Sequence, residues 1–164
     1  MRSEQVFQPT GRRLPVAVTL IVAVLLAAAC ASAPLATPES VAFDPSLGVQ
    51  LESMERTRSG LYFRDTHEGT GNPVRRGQQV EVYYVARLPD GTQVDATVPP
   101  AAPMPFTVGS EATIDAWNEG VLGMRPGGQR MLVAPAALAY GRRRVADVPS
   151  NSVLIFVVEL VSAR

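Results

Sequence analysis

Six side chains spread along the chain carry most of the chemistry it can offer: Tyr84, Phe106, Ile114, Trp117, Tyr140 and Phe156. All are aromatic or aliphatic, and such a set is by default a hydrophobic core. Two tyrosines and the only tryptophan add polar tips that need hydrogen-bond partners when buried, and all three fall at the ends of expected elements, which also suits the wall of an apolar cleft. A cleft of this kind can grip, desolvate and hydrogen-bond a ligand. It cannot make or break covalent bonds unaided. His67 is the single histidine, beside Glu68 in a turn-rich stretch, and Cys30 is the single cysteine. With no second partner for either, neither a nucleophile–base pair nor a metal site can be assembled around them. The Gly127-Gly128 pair lacks the following lysine of a phosphate loop. No metal and no cofactor are expected.

The elements that must position these residues follow from periodicity. Ile114, Trp117 and Val121 recur at i, i+3 and i+7, which predicts one short amphipathic helix over 113–121, capped by Thr113 or Asp115 and ended by Gly123 and Pro126-Gly127-Gly128. Almost everything else after Ser59 alternates as strand or punctuates as turn. Leu61 and Phe63 begin one strand, and Val80, Val82, Tyr84, Ala86 and Leu88 share one face of a nine-residue strand, so Tyr84 points inward. Thr92 to Asp95 and Gly128 to Ala134 make two more strands. Val98 to Pro105 reads as a loop or broken edge, because proline cannot donate to a ladder. Ser152 to Val161 is apolar on both faces except at Glu159, as a central strand covered on two sides would be. A sheet packed on one helix accounts for the pattern.

The front of the chain has a different character. Arg12-Arg13 precede an uncharged run, Leu14 to Ala29, that closes on three alanines before Cys30. Basic start, apolar middle and small residues describe an export signal over 1–29. A cysteine directly after it resembles the lipid-modified first residue of bacterial lipoproteins, although Leu26 lies four positions before Cys30 where three is usual. Residues 30–44 read as a flexible tether, and Asp44-Pro45 opens a short helix within 45–58 whose Leu47, Leu51 and Met54 form an apolar stripe. Loss of residues 1–29 takes Arg2, Arg12, Arg13 and Glu4 and leaves 12 arginines against 14 acids, a balance that does not support nucleic-acid binding.

Eight short motifs in order carry a family resemblance: Ser59-Gly60-Leu61-Tyr62, Gly69-Thr70-Gly71, Val82-Tyr83-Tyr84, Asp90-Gly91-Thr92, Trp117-Asn118-Glu119-Gly120-Val121, Gly123-Met124, Leu138-Ala139-Tyr140-Gly141 and Leu154 to Leu160. Residues 59–164 resemble the bacterial FKBP-type peptidyl-prolyl cis-trans isomerases. The resemblance implies an α+β fold, a twisted antiparallel sheet of about five strands curled around one short helix, with the active pocket between them. It implies Trp117 as the floor under a substrate proline, walls from Tyr84, Phe106 and Phe156, and donors from the Tyr140 hydroxyl and the Ile114 N–H. Asp95 joins this catalytic set, and Val94, Met104, Thr113 and Val148 fall at substrate-binding positions. Val94 and Met104 stand where aromatic residues are usual, Ala86 replaces a common glycine, and Asp147 replaces an apolar rim residue. The partners implied are proline-containing unfolded or folding polypeptides and a tacrolimus-type macrolide. With Cys30, the expected setting is an exported lipoprotein held at a membrane on the periplasmic or cell-surface side. The alternative function is a proline-binding or chaperone-like module whose isomerase activity went with the lost aromatic wall.

Overall fold

A computed structural model describes residues 33–164. The expected signal segment and Cys30 lie outside the described residues. Seven strands and one α-helix are described: β1 (Glu55–Arg56), β2 (Tyr62–His67), β3 (Gln79–Arg87), β4 (Gln93–Thr97), β5 (Met104–Thr107), α1 (Asp115–Gly120), β6 (Gln129–Ala134) and β7 (Leu154–Ala163). They form one antiparallel sheet in the order β1-β2-β6-β7-β3-β4, with β5 paired to β3 off that path. The antiparallel sheet around one short helix is the fold expected, with seven strands in place of about five.

Burial along β3 alternates strictly, with Val80, Val82, Tyr84 and Ala86 inward, the period-2 signature of a sheet covered on one main face. Strand β7 is covered on both faces over its first half, while Glu159 and Val161 on the second face are exposed. Leu154, Phe156, Val158 and Leu160 enter the main core with α1, whereas Ile155 joins a second cluster on the other side with Leu47, Met54, Met131, Val133 and Val153. Register places Phe156 between Ala86 and Leu132, and Tyr84 between Val158 and Thr97. The site residues on β3 and β7 thus stand on one face of adjacent central strands.

Three expectations are corrected. The single helix at 45–58 is replaced by two 3₁₀ turns, Pro45–Leu47 and Leu51–Ser53. Asp44 caps the first through Ser46 N–H, as its type suggested, but Gly48 adopts a left-handed φ of 62° and ends it. The stretch read as tether is docked from residue 35 onward: Ala36, Val41 and Phe43 pack on the second cluster and Pro38 is buried. Residues 98–103 are loop and Met104–Thr107 is a short edge strand on β3, in keeping with the loop or broken edge expected there, since an edge strand tolerates Pro105. The cap of α1 is Ile114 in extended conformation, with no side-chain cap bond. Thr113 stands one residue too early and Asp115 already lies in the first turn. His67 ends β2 and is exposed.

Candidate active site

Between α1 and the sheet lies a cleft of about 520 Å³. Its floor is Trp117, which is 4% exposed and meets Tyr84, Phe106 and Phe156 at ring-centroid distances of 4.6, 5.5 and 5.8 Å. The contacts with Tyr84 and Phe156 are edge-to-face, the geometry that ring quadrupoles favour. Three rings on three strands hold the indole in one orientation. Its N–H is buried without an acceptor among the described residues.

The floor is fixed from beneath as well. Arg130, 6% exposed on β6, donates to the Gly120 and Leu122 carbonyls at the carboxyl end of α1, both at 2.9 Å. The same guanidinium grips Asp65 of β2 through two bonds of 2.7 and 2.8 Å and lies 4.7 Å from the Phe63 ring centroid. Carbonyls at a helix end attract a cation because they have no intrahelical donor. Gly120 must be glycine for another reason: a Cβ there would fall 2.5 Å from Leu132. At the other end of the helix, the Asn118 side chain accepts from Gly109 N–H at 2.6 Å and donates to the Ser110 carbonyl at 2.8 Å. That pair holds the loop leading into Ile114.

Tyr84 hydroxyl donates to Asp95 Oδ2 at 2.6 Å. Burial, and then the Asp95 carboxylate it bonds, push the Tyr84 pKa up to about 12. The phenol therefore stays protonated across the neutral range. Among the described residues neither Ile114 N–H nor the Tyr140 hydroxyl has a hydrogen-bond acceptor, and both residues line the cleft. They are donors waiting for acceptors.

Of the eleven pocket residues expected from sequence, the cleft brings together Tyr84, Asp95, Met104, Thr113, Ile114, Trp117, Tyr140 and Phe156. Phe106, Val94 and Val148 are not part of its lining. Phe106 and Val148 are buried in the main core, and Val94 packs against that core. Phe106 supports the indole from behind, and the branched Val94 side chain lacks the reach of a ring. Glu111, Ala112, Asp115, Ala139 and Arg143 also face the cleft. Glu111 and Ala112 sit on the loop that Asn118 folds back, which only the tertiary structure places, and Asp115 opens α1. Arg143 carried a signal, since Arg142-Arg143-Arg144 directly follows Tyr140-Gly141.

Comparison with known proteins agrees with this geometry. Residues 71–161 match the model of the family described as FKBP-type peptidyl-prolyl cis-trans isomerase. FK506-binding protein 1A of Neurospora crassa is 42% identical over 107 residues, 64% of this chain and 89% of that one. FK506-binding protein 2 of Yarrowia lipolytica is 37% identical over 112 residues, 68% and 78% of the two chains. The chain spans only 28% and 23% of the length of the FK506-binding protein 4 relatives from Mycosarcoma maydis and Chaetomium thermophilum. Among solved structures, FkpA from Escherichia coli superposes with a TM-score of 0.63 at 31% identity, covering 69% of this chain and 52% of that one. AtFKBP13 gives the same TM-score at 30% identity, covering 68% and 99%. The chain belongs to the FKBP-type peptidyl-prolyl cis-trans isomerase family.

Proposed function

We propose that the protein catalyses cis–trans exchange of X–Pro bonds in exported polypeptides and thereby assists their folding. The observation that carries this reading is the cleft itself: an indole floor ringed by aromatic side chains, with two donors at its rim that have no acceptor among the described residues. Rotation about the bond is opposed by amide resonance worth about 18–20 kcal/mol. No proton transfer, nucleophile or metal is needed to pass that barrier. A proline ring seated on Trp117 loses water from its amide, and the planar, charge-separated ground state loses more by this than the twisted, less dipolar transition state. Ile114 N–H and the Tyr140 hydroxyl bind carbonyls flanking the proline, so the peptide is held while one bond turns. The Tyr84–Asp95 bond keeps the opposite wall in place. A tacrolimus-type macrolide, with a proline-like ring and carbonyls, would compete for the same cleft.

Tyr140→Phe tests the donor role. Loss of one neutral hydrogen bond of about 1 kcal/mol should lower kcat/KM by about fivefold while the fold stays intact. Unchanged kcat/KM would show that the hydroxyl binds no substrate.

The cellular setting rests on the amino-terminal sequence. The uncharged run ending at Ala29, followed by the only cysteine, supports lipid attachment at Cys30 and display on the outer face of a membrane. Ala31 beside Cys30, in place of aspartate, favours the outer membrane in a two-membrane bacterium. Among the described residues no helix is long and apolar enough to cross a membrane. Cys30→Ser should move the protein from the membrane to the soluble fraction on cell fractionation. Continued sedimentation of a correctly cut Cys30→Ser protein with membranes would remove the anchor.

A further inference from the structure

The loop that delivers Tyr140 is closed at its base by a ring of four hydrogen bonds, and one member of the ring comes from the amino-terminal strap. Ala36 N–H donates to Asn151 Oδ1 at 2.6 Å. Asn151 N–H donates to the Gly141 carbonyl at 2.7 Å, Gly141 N–H to the Ala136 carbonyl at 2.8 Å, and Ala136 N–H to the Ala36 carbonyl at 3.0 Å. Within the ring each residue gives one hydrogen bond and takes one, and the Ala136 carbonyl also takes Ala139 N–H at 3.2 Å. Ala136 opens the 3₁₀ turn before Tyr140, Gly141 follows Tyr140 directly, and Asn151 ends the loop.

Two features make this ring specific. Gly141 and Asn151 both adopt left-handed backbone, each with φ of 59°. Asparagine is among the few non-glycine residues that visit this region readily, and here it also supplies the side-chain acceptor that closes the circuit. The strap, for its part, is a fixed partner. Asp44 N–H bonds the Pro89 carbonyl at 2.8 Å, Tyr62 hydroxyl bonds Glu39 at 2.7 Å, and Val41 and Phe43 pack on the second cluster. Ala36 lies outside the family-matched segment, residues 71–161.

We propose that Asn151 is a positioning residue that locks the Tyr140 loop to the strap, so that residues 35–44 are a working part of the site. The proposal rests on the function argued above. Without the Asn151 acceptor the ring opens at Ala36, and the loop base loses the Asn151 side-chain bond to the strap. The Tyr140 hydroxyl is then less well aimed at the substrate carbonyl, which lowers kcat more than it raises KM.

The test uses the full chain and two substitutions at one position. Asn151→Gly keeps the left-handed backbone and the N–H but removes the acceptor, whereas Asn151→Asp keeps all three. Asn151→Gly should lower kcat/KM on an X–Pro peptide by about fivefold, the size of one lost hydrogen bond. Asn151→Asp should stay within about twofold of the parent. In a Tyr140→Phe background, Asn151→Gly should cost nothing more, because the group it positions is gone. Equal activity of Asn151→Gly and parent, or the same fivefold loss with and without the Tyr140 hydroxyl, would overturn the proposal. Amide exchange by NMR reads the ring without turnover: Asn151→Gly should deprotect Ala136 and Gly141 and shift the Tyr140 ring signals, and Asn151→Asp should do neither. If the parent shows no exchange above the peptide blank, the assigned activity fails. The NMR arm still decides the ring, since unchanged protection and unchanged ring signals in Asn151→Gly would overturn it.

Discussion

Trp117→Ala is expected to abolish most catalysis and to destabilise the domain together. The indole is 4% exposed and touches rings from β3, β5 and β7, so truncation leaves a cavity that those strands cannot collapse around. Replacements of this size cost about 3–5 kcal/mol of stability. For catalysis, the alanine methyl leaves the proline ring without a floor. A loss of about 3 kcal/mol of transition-state contact corresponds to about a hundredfold in kcat/KM. Kinetics should be run well below the melting temperature and normalised to the folded fraction from urea titration. Retention of more than a third of parental kcat/KM by folded Trp117→Ala would mean that substrate does not rest on the indole.

Arg130→Ala is expected to have the second largest effect, on stability. Its guanidinium joins Asp65, Gly120 and Leu122 through four bonds of 2.7 to 2.9 Å. Alanine strands the Gly120 carbonyl at the end of α1 and leaves the Asp65 carboxylate unpaired. Breaking a buried pair from one side costs about 3–5 kcal/mol. Asp65 is 38% exposed and can recover water, which favours the lower end of that range. Arg130→Met, which keeps the stem and fills the space, should cost less than alanine. Lysine should rescue poorly, because one ammonium cannot reproduce the planar fork that serves a carboxylate and two carbonyls. A urea midpoint for Arg130→Ala within 1 kcal/mol of the parent would contradict this anchoring role.

Both residues bear on what sequence reading can reach. Trp117 was legible because local periodicity carries it: Ile114, Trp117 and Val121 at helical spacing leave one face to bury, and the strict alternation of β3 turns Tyr84 toward that face. The same reasoning found the two-sided burial of β7 over its first half, since a run of apolar residues needs two covers, but not the exposure of Val161. Arg130 was not legible. An arginine within a strand reads as solvated unless the opposing carboxylate and helix end are known, and both partners come from elements that only tertiary packing brings near. The strap shows the same limit. Ala-Pro-Leu-Ala-Thr-Pro has no period, because its order comes from backbone bonds to Ala136 and Asn151 and from contacts with the back of the sheet. The apolar stripe of Leu47, Leu51 and Met54 suggested one helix, and the left-handed backbone of Gly48 divides the segment into two turns. Val94 and Met104 looked equivalent as lost aromatic wall, and the fold separates them: Met104 faces the cleft and Val94 is not part of its lining.

The most direct test of the enzyme assignment is exchange spectroscopy on an Ala–Pro peptide in the presence of catalytic amounts of the purified protein. The uncatalysed bond turns over in tens to hundreds of seconds, so the blank shows no exchange cross-peaks at mixing times near one second. Cross-peaks between cis and trans signals should appear with the protein, grow with its concentration, and vanish when FK506 occupies the cleft. A peptide that binds, as judged by shifts at Trp117 and Tyr140, but exchanges no faster than the blank would contradict the account and leave a proline-binding module.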